Sequence, residues 1–156
     1  MKTPQPNSLN CFVCGVENPV GLRLHFFETS PGEVAAECNL PEKYQGYPGI
    51  VHGGVIAAML DEAAGRSQMG VGDNPRFMFT ARLQIRYRRS VPVCEPLRLV
   101  GRAGESKART ATATSAIYDQ QGKLLAEAEA VLVNVSNLQI SDGDLEALGW
   151  KVYPQY

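Results

Sequence analysis

From Val55 to Leu60 six apolar residues run together, interrupted by Asp61 and Glu62 before Ala63 and Ala64 resume. A segment apolar on nearly every side for two turns predicts a helix enclosed by protein, over about residues 53–69. Gly70, Gly72 and Asn74-Pro75 stop it. Around it the period drops to two. Leu22, Leu24 and Phe26 share one face, as do Val34, Ala36, Cys38 and Leu40 after a turn at Ser30-Pro31-Gly32. Tyr44 to Gly49 reads as a loop. Beyond the helix, Ala81, Leu83, Ile85 and Tyr87 alternate with Arg82, Gln84, Arg86 and Arg88. Strands over 97–103, 110–118 and 124–135 follow, the last with Glu127 and Glu129 opposite Ala126, Ala128 and Ala130. A short polar helix near 142–148 closes the chain, and residues 1–10 read as a loose leader. The pattern is α+β, an antiparallel sheet of about six strands curved around one long buried helix.

Composition narrows the classes of function. A chain of 156 residues with 44% apolar content suits one domain with a real core. Its divisions are expected to be a leader with a CxxC pair at 1–20, a main domain at 21–137 and an extension at 138–156. A net charge of −1 gives no electrostatic reason to expect nucleic acid or an anionic membrane as partner. No apolar run approaches the roughly 20 residues of a membrane span. Without the apolar core of a signal peptide near residue 1, the expected location is cytoplasmic. Cys11 and Cys14 form a CFVC pair, while Cys38 and Cys94 stand alone. Structural zinc wants four ligands and no second pair appears, so small reduced thiols are expected, with no metal and no cofactor.

The two acids in the buried helix need reasons. Glu62 has Arg66 four residues on, close enough for an ion pair within the helix. Asp61 has only Ala57, Ala64 and Gly65 at its helical neighbours, and Asp is a poor helix former. A polar bond to a facing loop and a functional role remain equally open on composition. At the helix start, His52-Gly53-Gly54 exposes backbone N–H groups that have no intrahelical partner. With no Cβ there, a ligand oxygen can come close, and the helix dipole favours an oxyanion. Gly53 and Asp61 lie eight residues apart, about 12 Å along the axis. One carbonyl cannot touch both in one chain. In a two-fold dimer with antiparallel helices, the Asp61 of one chain can approach the Gly53 of the other.

These segments carry a family resemblance. CFVCGVENPVGLRL, YQGYPGIVHGGVIAAMLDEA and TARLQIRYRRSVPV resemble the hotdog-fold acyl-CoA thioesterases of the PaaI type, over roughly Cys11 to Val135. The resemblance implies a hotdog fold and hydrolysis of acyl-CoA to a free acid and coenzyme A. It implies that Asp61 is the catalytic nucleophile or general base, and that the Gly53 N–H polarises the thioester carbonyl. His52 then shapes the site, Gly54 is a candidate substrate-binding residue beside Gly53, and Thr80 matches a Ser or Thr at the start of the next strand. Many relatives carry Asn or Gln in the loop before HGG. Here Gly46 stands at that position, with Gln45 one residue earlier as the candidate replacement. Arg86, Arg88 and Arg89 are candidates for the coenzyme A phosphates, since Arg suits phosphate. Outward strand faces carry such charges without any ligand too.

The expected partners are the acyl-CoA substrate and a second copy of the chain, as a homodimer or a homotetramer built from two dimers. Two other classes stay open: an acyl-CoA binding protein without catalysis, and a hotdog enoyl-thioester hydratase or dehydratase. The latter needs a histidine before the Pro-Gly turn, where Tyr44-Gln45-Gly46-Tyr47 holds none. Tyr47, Met59, Phe77, Met78 and Phe79 can line an acyl pocket or serve as ordinary core and contact residues.

Overall fold

The computed structural model describes residues 1–136 and 140–154. Its centre is helix α1, Gly53–Met69. The His52 side chain caps its start by accepting the Gly54 N–H, and Gly70 ends it at φ +74. Met59, Leu60, Ala63 and Ala64 are fully buried, as the unbroken apolar run requires.

The sheet comprises β1 Thr3–Pro4, β2 Phe27–Ser30, β3 Glu33–Asn39, β4 Met78–Tyr87, β5 Pro96–Ser106, β6 Thr110–Tyr118 and β7 Leu124–Asn134. Its spatial order is β1-β2-β3-β5-β6-β7-β4, with every neighbouring pair antiparallel. Helix α1 carries the chain from β3 to β4, which lies outside β7 as an edge strand. The inner face is built of small and branched residues in register: Val34 opposite Gly101, Gly101 opposite Ser115, and Ser115 opposite Ala128. On the outer face Gln84 meets Glu129, and Glu129 meets Thr114. One face is thus apolar and covered by the helix while much of the other is polar, the arrangement antiparallel sheets commonly adopt.

Gly101 sets how close helix and sheet come. A Cβ there would lie 2.0 Å from the Ala63 carbonyl oxygen and 2.6 Å from its carbon. Both are backbone atoms of α1, so no side chain can turn aside. Gly101→Ala is expected to cost at least about 3 kcal/mol, the upper part of the range for overpacking. The urea unfolding midpoint reads it directly.

Three expectations change. Leu22, Leu24 and Phe26 are buried, but the stretch they belong to is not a strand. Arg23 takes φ +54, and the N–H groups of Leu22 and Leu24 donate to Phe12 and Val13 instead of to the sheet. Strand pairing begins only at Phe27. Among the described residues the sheet has seven strands, against about six expected, because the chain start adds β1. Residues 1–10 are not loose either. Gln5 and Asn7 are buried, and their amides satisfy carbonyls of Arg66, Gly70, Cys14 and Leu24. Asn7 also bridges to Lys151, joining both ends of the chain. The closing helix α2 spans Asp142–Ala147 behind a Ser141 capping box. The expected boundary between residues 137 and 138 lies outside the described residues. No helix among the described residues is long and apolar enough to cross a membrane.

Candidate active site

The start of α1 opens onto a cleft of about 770 Å³ walled by Tyr47, His52, Gly53, Tyr87, Arg88 and Arg89. The N–H of Gly54 is taken: it donates to Nδ1 of His52 at 2.9 Å. That of Gly53 makes no hydrogen bond among the described residues. The helix tip therefore presents one free donor to the cleft, backed by the partial positive charge of the dipole. The Gly53 carbonyl accepts a 2.9 Å hydrogen bond from the Tyr87 hydroxyl, so the tip is pinned to the edge strand. Alternation had put Tyr87 on the helix side of its strand but gave no sign of this role.

Two turns along α1, Asp61 lines a different cleft, of about 490 Å³. Its Oδ1 accepts a 2.5 Å hydrogen bond from Thr80 Oγ1. Thr80 reaches the helix because β4 is irregular. Thr80 pairs with Leu132 but Arg82 with Val131, leaving Ala81 as an extra residue. Such a bulge shifts the alternation by one. Thr80 thereby joins the side of Leu83, Ile85 and Tyr87 rather than that of Arg82. Phe77, Met78, Met69 and Trp150 give this cleft apolar walls, and Phe77 meets Trp150 edge-on at 5.2 Å. Of the other candidate acyl-pocket residues, Met59 is core, while Tyr47 and Phe79 are exposed.

In one chain, then, the free donor and the acid occupy separate clefts. The remaining candidates divide. Arg88 and Arg89 border the Gly53 cleft, Arg88 also pairing with Glu127 at 3.3 Å. Arg86 sits opposite Glu127 on the outer sheet face, away from that cleft. The Gln45 side-chain oxygen accepts the Gly49 N–H at 3.0 Å and so closes its own loop. A Cβ on Gly46 would come within 3.3 Å of His52 Cα, so the loop lies tight against the helix start. Glu62 pairs with Arg66 at 2.7 Å, and Arg66 is almost wholly buried over the rings of Phe26 and Trp150. Cys11 and Cys14 approach Glu62 in the acid's cleft. Hydrogen bonding from Cys14 pulls the Cys11 thiol well below its ordinary pKa, and the same bond, with burial, pushes Cys14 up.

Comparison with known proteins gives one family match. The model of the thioesterase superfamily fits residues 48–126, just over half of the 156-residue chain. A thioesterase superfamily protein of known structure is 33% identical at a TM-score of 0.73, over 80% of this chain and 63% of that one. The chain thus spans less than two thirds of that relative. A Streptococcus mutans protein solved bound to acetyl-CoA is 21% identical at a TM-score of 0.67, over 78% and 95% of the two chains. The E. coli PaaI protein of the phenylacetic acid degradation operon is 15% identical at a TM-score of 0.64, over 74% and 81%. The last two likenesses show the fold.

Proposed function

Because this hotdog-fold chain belongs to the thioesterase superfamily, we propose that it hydrolyses acyl-CoA thioesters at sites completed by a second copy of itself. The observation that carries the reading is the free Gly53 N–H at the tip of α1. The thioester carbonyl oxygen accepts that N–H, and the charge that develops as the carbonyl is attacked gains from the helix dipole. Asp61 of the facing chain attacks the carbonyl carbon or takes a proton from the water that does. The C–S bond breaks and coenzyme A leaves as its thiolate, taking up a proton to become the thiol; where Asp61 itself attacks, water then hydrolyses the acyl–aspartyl anhydride, which releases the free acid and regenerates the carboxylate. Thr80 holds one oxygen of Asp61, leaving Oδ2 for the reaction.

The free edge of β4 supports the partner. It presents unpaired backbone groups together with exposed Phe79 and Tyr87, a ready template for another strand. Pairing two β4 edges about a two-fold axis runs the helices antiparallel and brings each acid cleft toward the other chain's helix tip. Arg88 and Arg89 then flank the entrance where the phosphates of coenzyme A lie. The apolar cleft of Phe77, Met78 and Trp150 receives the acyl group.

A screen of short, long and aromatic acyl-CoAs, read by thiol release, tests the reading. Turnover of at least one class is expected, and none on an enoyl-CoA by water addition. Tight acyl-CoA binding without thiol release points to a binding protein instead. Hydration without thioester cleavage points to a hydratase.

A further inference from the structure

We propose that Cys11, Cys14 and Glu62 form a site for one zinc ion, beyond the thioesterase reading. One sulfur from each cysteine and one carboxylate oxygen lie within 4.8 Å of one another. A tetrahedral zinc with bonds of about 2.3 Å to sulfur and 2.0–2.2 Å to oxygen sets its ligands about 3.6–3.8 Å apart. Side-chain rotations close the difference.

The turn is built for this. Cys11 Sγ accepts the N–H groups of Val13 at 3.3 Å and Cys14 at 3.4 Å, which favour a thiolate there. Gly15 lets the chain double back, for a Cβ would lie 2.4 Å from the Cys11 carbonyl oxygen. Asn7 fixes the Cys14 carbonyl at 2.6 Å, and the Ser8 hydroxyl accepts the Cys11 N–H at 3.2 Å. Arg66 grips one oxygen of Glu62 through its Nε and leaves the other for a metal. Such an outer partner is what ligating carboxylates require.

Charge and softness decide which ion fits. Two thiolates and a carboxylate carry three negative charges, which a divalent ion and the buried Arg66 together neutralise. Sulfur donors select zinc over magnesium or calcium. Three protein ligands leave a fourth position, and the residues supplying them line the cleft that holds Asp61 and Thr80. Water or a polar group in that cleft fills it.

The test is metal binding by the full-length, tag-free protein, which does not depend on any thioesterase activity. Cobalt titration is expected to saturate at one ion per chain with thiolate-to-cobalt charge-transfer bands and the visible spectrum of a tetrahedral site. Zinc should displace it, and elemental analysis of the purified protein should find zinc. Glu62→Gln is expected to weaken binding by at least about 10-fold. Cys11→Ser is expected to abolish the sulfur bands, with circular dichroism confirming its fold. Cys14→Ser repeats the test at the buried ligand. Stoichiometric binding lost in the cysteine variants supports the site. Absent binding, binding unchanged by Cys11→Ser, or a Cys11–Cys14 disulfide in protein from a reducing cytosol would overturn it.

Discussion

Asp61→Asn is expected to lower thioester turnover by about 10²–10⁴-fold, the range for losing a positioned acid or base. Asparagine keeps the shape of the side chain and a carbonyl oxygen for the Thr80 hydroxyl, 2.5 Å from Oδ1 in the native chain. Helix packing is untouched, since Met59, Leu60, Ala63 and Ala64 carry the buried face. Stability should therefore move by less than about 1 kcal/mol, within the ordinary range for a change outside the core. What disappears is the negative charge that, in the proposed mechanism, attacks or accepts a proton. KM should change little, because the substitution leaves the proposed carbonyl site at the helix tip as it is. Steady-state kinetics beside a urea melt separates the two effects. Turnover near the wild-type value in a folded variant would remove Asp61 from the mechanism.

Gly53→Pro is expected to cost about 10²–10³ in kcat, as the loss of one oxyanion donor does. The substitution replaces the N–H with a ring carbon, which removes the donor and fills the space in front of it. Gly53 is the first residue of α1, where proline is well tolerated. The preceding residue must avoid helical ψ, and His52 already sits at φ −57 and ψ 135. A Cβ on Gly53 would meet Tyr87 at 3.7 Å, ordinary contact. Because the deleted N–H bonds nothing among the described residues, the fold loses no hydrogen bond. Unchanged turnover at native stability would mean that the carbonyl is polarised elsewhere.

How much of this the sequence held depended on how local the physics was. The helix over 53–69 could be read because burial on every side leaves an unbroken apolar run with glycine stops. Glu62 and Arg66 could be paired because four residues is one helical turn. The strands expected at 110–118 and 124–135 showed in their alternation and are found at Thr110–Tyr118 and Leu124–Asn134. Thr80 did not follow from alternation, because the extra residue at Ala81 reverses the faces on either side of it. The family resemblance had to supply it. Leu22 to Phe26 misled for a related reason: its alternation is real, but Arg23 bends the backbone and the pairing goes to the cysteine turn. Gln5 and Asn7 looked like a solvated leader, since composition does not reveal that their amides meet buried carbonyls. The third ligand beside Cys11 and Cys14 was equally hidden, because Glu62 comes from the helix rather than from a second cysteine pair.

The central claim is that each site takes its donor from one chain and its acid from another. Co-expressing Asp61→Asn chains with Gly53→Pro chains tests it. Each homodimer lacks one group at both of its sites. A mixed dimer holds one site with both groups native and one with neither. Random pairing makes half the dimers mixed, so activity should return to about a quarter of wild type from near nothing in either variant alone. Mixed protein no more active than the separate variants would contradict the account, for it would mean that one chain must supply both groups.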